Sequence, residues 1–168
     1  MRMDVDAVRV MLREGRGPRL ARRRRMAGVA ALGIVDFTVM SLYQLGLLRR
    51  LPDLPGPWFD SNRVNVSRSA YPLGVPDGPL GGLLCAGVLA LAGVGVPQAR
   101  RPSAVSYVLV AATAVGAGGA VKYLWDMFAR QKVACPYCLF GAAVNFGLFA
   151  DSLLEVLAAR RPPRMDAA

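Results

Sequence analysis

The sequence predicts an all-α membrane four-helix bundle, with four transmembrane helices and both termini in the cytoplasm. Three observations predict it. Four apolar runs each approach the ~20 residues that span a bilayer. Charge is segregated rather than spread: the net charge is +10 in a chain that is 54% hydrophobic, and the apolar runs carry almost none of it. Basic residues also differ in number between the two sides of the runs, as the positive-inside rule requires. The 168 residues divide into a basic cytoplasmic tail over 1–26, a transmembrane domain over 27–159 and a cytoplasmic C-terminal tail over 160–168.

The tail is dominated by arginine, nine of them between positions 2 and 25. A nucleic-acid binder presents such charge on a folded basic face. No soluble scaffold is left over here to present it, so no nucleic-acid partner is expected. Nor does the tail read as a cleavable signal. Its positive region is long, and the apolar run behind it has spanning length and no small-residue cleavage site before Arg49 and Arg50.

The first run, 27–48, is interrupted by Asp36 near mid-membrane. A carboxylate at that depth must face the bundle interior; packing against a polar partner and proton handling both remain open, and its depth sets it far from the cysteines. The second run, 80–96, is short and Gly-rich. The third covers about 104–124 and the fourth 135–159. A Pro-rich loop over 49–79, a tight turn over 97–102 and a charged connector over 122–132 join them. Arginine and lysine number fourteen on the side of the termini and seven on the other, which places the long loop outside. Gly82, Ala86 and Ala90, and likewise Ala112, Gly116 and Ala120, are spaced as small-residue packing ridges.

Histidine is absent, which removes Ser-His triads, His-ligated zinc and an imidazole base. The three cysteines, Cys85, Cys135 and Cys138, are too few for a disulfide scaffold and enough for one redox pair. Cys135-Pro136-Tyr137-Cys138 opens the fourth run. Pro136 suits a first helical position, and the unpaired N–H groups of a helix start favour a thiolate. A three-residue offset puts both sulfurs on one helix face, and the exoplasmic side is where disulfides persist. A redox pair, a static disulfide and two packing residues all fit this spacing. A metal site does not, because the third cysteine lies in another run. Cys85 has no polar neighbour in its run and reads as a small core residue. Ala142 and Asn145 continue the stripe of Cys138 at about 100° per residue. Asn145 thus lies about 10 Å deeper, either bracing two helices or contacting a ligand.

Taken in order, these features resemble the vitamin K epoxide reductase family. The resemblance rests on Phe59-Asp60 and Val64-Asn65-Val66-Ser67 in the loop, Leu73-Gly74-Val75-Pro76 and Gly81 before and within the second run, and Cys135, Cys138 and Asn145 in the fourth. It implies a four-helix bundle around a quinone, with thiols as the electron source. Cys138 is then the cysteine nearest the quinone, and Cys135 exchanges with a thioredoxin-like exoplasmic protein. Asp60, Asn65 and Ser67 position the loop as a lid, and Asn145 contacts the quinone or braces helices; with no His, the reduced quinone takes its protons from water or from a carboxylate such as Asp77. Phe59 and Val66 stand where the family usually has two loop cysteines, which points to a bacterial-type homologue lacking the loop cysteine pair. Asp77 and Ala142 stand where epoxide-reducing members carry Asn and Tyr, so a plain quinone such as ubiquinone or menaquinone is the expected substrate. The expected location is a bacterial plasma membrane, with lipid as surrounding partner and the redox site on the exoplasmic or periplasmic side. The rival expectation is a non-catalytic membrane interaction or assembly subunit that retains the bundle.

Overall fold

A computed structural model describes residues 5–94 and 102–160. The end of the second run at 95–96, and Arg2, Arg100, Arg101, Arg161 and Arg164 from the charge comparison, lie outside the described residues.

The protein is a helical membrane bundle. Helix α1 is Val5–Glu14 and α2 is Pro18–Gln44. In the loop, α3 is Ser61–Asn65, followed by two single 3-10 turns at Arg68–Ala70 and Pro72–Gly74. Helix α4 is Asp77–Ala92 and α5 is Ala104–Trp125, the latter continued by a π-helical turn, Asp126–Gln131. Helix α6 is Pro136–Arg160. Three of these elements are long and apolar enough to cross a membrane: Pro18–Gln44, Ala104–Gln131 and Pro136–Arg160. At 1.5 Å per residue, the 16 residues of α4 reach about 24 Å, short of a ~30 Å hydrocarbon core.

Helix α2 begins nine residues before the first apolar run, because Pro18 fits an opening turn and arginine is a good helix former. It stops at Gln44, where Gly46 takes a positive φ of 78° and turns the chain away. Helix α2 packs against α4 and α6, and α6 packs against α5, whereas α4 and α5 meet only sparsely. Small residues permit the close approaches, as expected where van der Waals packing drives helix association. A Cβ on Gly81 would come within 2.5 Å of the Phe37 ring, and one on Gly33 within 2.7 Å of Cys85 Sγ. The inward face of α4 is Gly78, Cys85, Val88 and Ala92. Ala86 and Ala90, expected on a packing ridge, are exposed on its other side.

The last carbonyls of α4 have no partner within the helix and call for a donor from elsewhere. Arg23, read from sequence as part of the tail, supplies it. Its guanidinium donates to the carbonyls of Leu91 at 2.9 Å and Val94 at 3.1 Å. Its charge is met by Glu155 of α6 at 2.6 and 2.8 Å, and Ser106 of α5 donates to the same carboxylate at 2.7 Å. Both partners are almost fully buried. One ion pair thereby ties α2, α4, α5 and α6 together at the end of the bundle remote from the cysteines.

Candidate functional site

At the other end, a left-handed residue, Lys132 at φ 55°, reverses the chain after the π-helical turn. The next residues run beside the loop. Phe59 and Ala134 form a parallel β-bridge: Ala134 N–H donates to Trp58 O at 2.6 Å, and Asp60 N–H to Ala134 O at 3.0 Å. The Asp60 side chain then caps α3 by accepting from Arg63 N–H at 2.9 Å, as an N-cap aspartate does. Asp53 holds the same helix start, accepting from Ser61 N–H at 2.9 Å and from its hydroxyl at 2.5 Å. Asn62 pairs with both backbone groups of Leu51. So anchored, α3 lies over the start of α6 and aims Asn65 at the cysteines.

Cys135 and Cys138 form a disulfide, with Cα atoms 5.2 Å apart. Cys135 is fully buried and Cys138 nearly so. The Cys138 N–H, in the first turn of α6, donates to Cys135 Sγ at 3.1 Å. Asn65 Nδ2 lies 3.4 Å from Cys135 Sγ and 3.7 Å from Cys138 Sγ. Cys135 therefore has two donors, one of them at a helix N-terminus, where thiolate charge is favoured.

Beneath the disulfide lies a cavity of about 370 Å³ with mostly apolar walls. Cys138 lines it and Cys135 does not. Its floor and sides come from Phe37, Leu84, Gly116, Gly141, Ala142 and Asn145, and Asp77, Tyr123 and Ser69 supply polar edges. Asn145 donates to Gly141 O at 2.9 Å, which leaves its Oδ1 buried without a partner and pressed against Gly116. The Tyr123 hydroxyl is also buried without an ordinary hydrogen bond, although it lies within electrostatic reach of Asp77. Asp77 is held by Gln44 at 2.5 Å.

Of the residues singled out from sequence, the structure brings Asn65 to the disulfide, and Asn145 and Asp77 to the cavity. Asp60 and Ser67 touch neither. Asp60 caps α3, and Ser67 accepts from Gln131 at 3.2 Å while donating to Val64 O. Asp36 is buried near the site rather than remote from it. A Cβ on Gly141, one turn below Cys138, would lie 3.3 Å from Asp36 Oδ2. Tyr123, Ser69 and Asp53 were missed. Tyr123 was legible in principle, because it continues the Gly116–Gly119–Ala120 face of α5 at helical spacing; the neighbouring charges read as a connector instead.

A family model described as the vitamin K epoxide reductase family matches residues 24–153, which covers every element built above except α1, the start of α2 and the end of α6. The chain belongs to the vitamin K epoxide reductase family. No curated protein matches it. Family membership together with the bonded cysteine pair makes it a membrane oxidoreductase with a redox role, and it implies involvement of a quinone in general terms. One expectation is corrected. The sequence points to a bacterial-type homologue characterised by lacking the loop cysteine pair, whereas what the structure shows is a cysteine pair present at disulfide distance, Cys135 with Cys138. Phe59 has a structural part of its own in the bridge that places this pair.

Proposed function

We propose that the protein is a four-span thiol oxidoreductase that moves two electrons from a partner dithiol to a membrane quinone through Cys135 and Cys138. One observation carries the reading: the disulfide separates two environments, with Cys138 opening on an apolar cavity and Cys135 turned away from it under α3. A thiolate of the partner attacks Cys135 Sγ, forming a mixed disulfide and releasing Cys138 as a thiolate. The partner's second thiol then closes the partner's own disulfide, and Cys135 departs as a thiolate met by Asn65 and the Cys138 N–H. The reduced pair passes two electrons to the quinone and re-forms its disulfide. The two protons from the partner's thiols balance those taken up by the quinol.

The cavity residues suit such a ligand. The Tyr123 hydroxyl, beside Asp77, can turn to donate to a quinone carbonyl, and the unpartnered Asn145 Oδ1 can accept from a quinol hydroxyl. Asp77, beside Tyr123, is the proton source in this scheme. Asp60, Asn65 and Ser67 form the lid, with Asn65 its working tip. Asp77 and Ala142 favour a plain quinone, ubiquinone or menaquinone, over an epoxide.

In this reading α4 is the second of four spans, 27–159 is the redox domain, and both termini are cytoplasmic in a bacterial plasma membrane. The donor is a thioredoxin-like protein on the exoplasmic or periplasmic side. The burial of both sulfurs favours one rival, a non-catalytic membrane subunit in which the disulfide is a staple. The test is quinone reduction by purified protein in lipid nanodiscs with dithiothreitol as reductant. Wild type and Cys85→Ala should turn over, Cys135→Ala and Cys138→Ala should not, and Cys138→Ala should trap an oxidised thioredoxin-like protein on Cys135. Absence of turnover in wild type, with the fold intact, would establish the staple.

A further inference from the structure

We infer that α1 is an interfacial helix that binds the anionic headgroups of the same membrane that α2 crosses. No residue of α1 is buried, yet its sequence is amphipathic. At 100° per residue, Val5, Val8, Met11 and Leu12 fall within one third of the helix circumference, and Asp6, Arg9, Arg13 and Glu14 fall outside it. Val5 remains 79% exposed, and Val8, Met11 and Leu12 are only partly covered, so this apolar face keeps surface open to a further partner.

Position says what covers it. Only residues 15–17 separate α1 from the first turn of α2, a membrane-spanning helix. Gly17, at φ 156°, makes the sharp turn. Arg24 of α2 reaches back to the carbonyls of Leu12 at 2.7 Å and Arg13 at 3.1 Å, closing the end of α1. The helix is thereby held against the arginine-rich first turns of α2, ahead of its apolar run. Charge complementarity names the lipid: Arg9 and Arg13 are exposed beside the apolar face and Arg16 is exposed just after it, and among the described residues Arg9 has an exposed pairing with Asp6. Long arginine side chains beside an apolar stripe can snorkel to phosphate. This inference is independent of the redox proposal.

The test uses the full chain with Cys85→Ala and its disulfide oxidised, carrying an environment-sensitive fluorophore at Val8→Cys, Leu12→Cys, Asp6→Cys or Arg13→Cys. Each is reconstituted in vesicles of phosphatidylcholine with increasing phosphatidylglycerol, some containing spin-labelled lipid as quencher. Positions 8 and 12 should be quenched by the labelled lipid and positions 6 and 13 should not. Arg9→Gln with Arg16→Gln should raise the phosphatidylglycerol fraction needed for half-maximal quenching, since each arginine near an anionic surface contributes about fivefold in affinity. Equal quenching at all four positions would overturn the inference. So would shielding at 8 and 12 without lipid quenching, which would mean a protein surface covers the face. Quenching independent of phosphatidylglycerol would remove the anionic headgroup from it.

Discussion

The Asn65 side-chain amide reaches both sulfurs of the Cys135–Cys138 pair, at 3.4 and 3.7 Å, from a helix that contributes no other group to them. A hydrogen bond to a developing charge contributes about 1.5–3 kcal/mol. Asn65→Ala should therefore slow reduction of the disulfide by dithiothreitol by roughly 10- to 100-fold. Asn65→Asp should be slower still, because it sets a carboxylate beside each departing thiolate. Stopped-flow single-turnover rates decide it, and equal rates in all three proteins would remove Asn65 from the chemistry.

Gly116 and Asn145 make a second pair, on facing helices. A methyl group on Gly116 would overlap Asn145 Oδ1 and come within 2.5 Å of Leu84 Cδ2. Gly116→Ala should shrink the cavity and raise KM for quinone about tenfold or more, the effect of a misplaced side chain on positioning. Disulfide reduction by dithiothreitol in a single turnover should stay near wild type. A matched loss in both assays would mean the substitution disturbs the bundle as a whole.

The buried Arg23–Glu155 pair predicts a non-additive cycle. Removing one partner of a buried pair costs roughly 3–5 kcal/mol, whereas replacing both with apolar residues is often near neutral. Glu155→Leu should lower the thermal midpoint in detergent sharply. Adding Arg23→Leu should recover only part of it, because the Leu91 and Val94 carbonyls then lose their donor. Full recovery would show that those carbonyls need no donor from Arg23.

Topology is tested by impermeant thiol labelling in a Cys85→Ala background. Leu54→Cys in the loop and Glu14→Cys at the end of α1 are both exposed positions. Leu54→Cys should label from outside in intact cells, and Glu14→Cys only after permeabilisation. The reverse pattern would place the disulfide in the cytosol. Labelling of both from one side would mean that α2 does not cross.

The class of molecule is legible in the order of residues: helical, membrane-embedded, and carrying a cysteine pair at the mouth of its last helix. Those properties follow from local quantities, namely run length, charge density and a three-residue spacing, which are set within a few turns of chain. The Cys138–Ala142–Asn145 stripe was legible for the same reason, since helical periodicity fixes which residues share a face. What surrounds the pair depends on which distant segments meet, and that emerges only when the chain is folded. The Phe59–Ala134 bridge brings α3 across to Cys135, and sparse contact between α4 and α5 leaves room for the cavity. Asp36 reads as a carboxylate far from the cysteines until Gly141, on another helix, is seen to sit against it. Arg23 reads as one of nine tail arginines because its neighbours in sequence are arginines. Its partners, Glu155 and the end of α4, are 132 and about 70 residues away. The pairing exists because the last carbonyls of α4, which lack partners within their own helix, meet Arg23 only once α2 packs beside them.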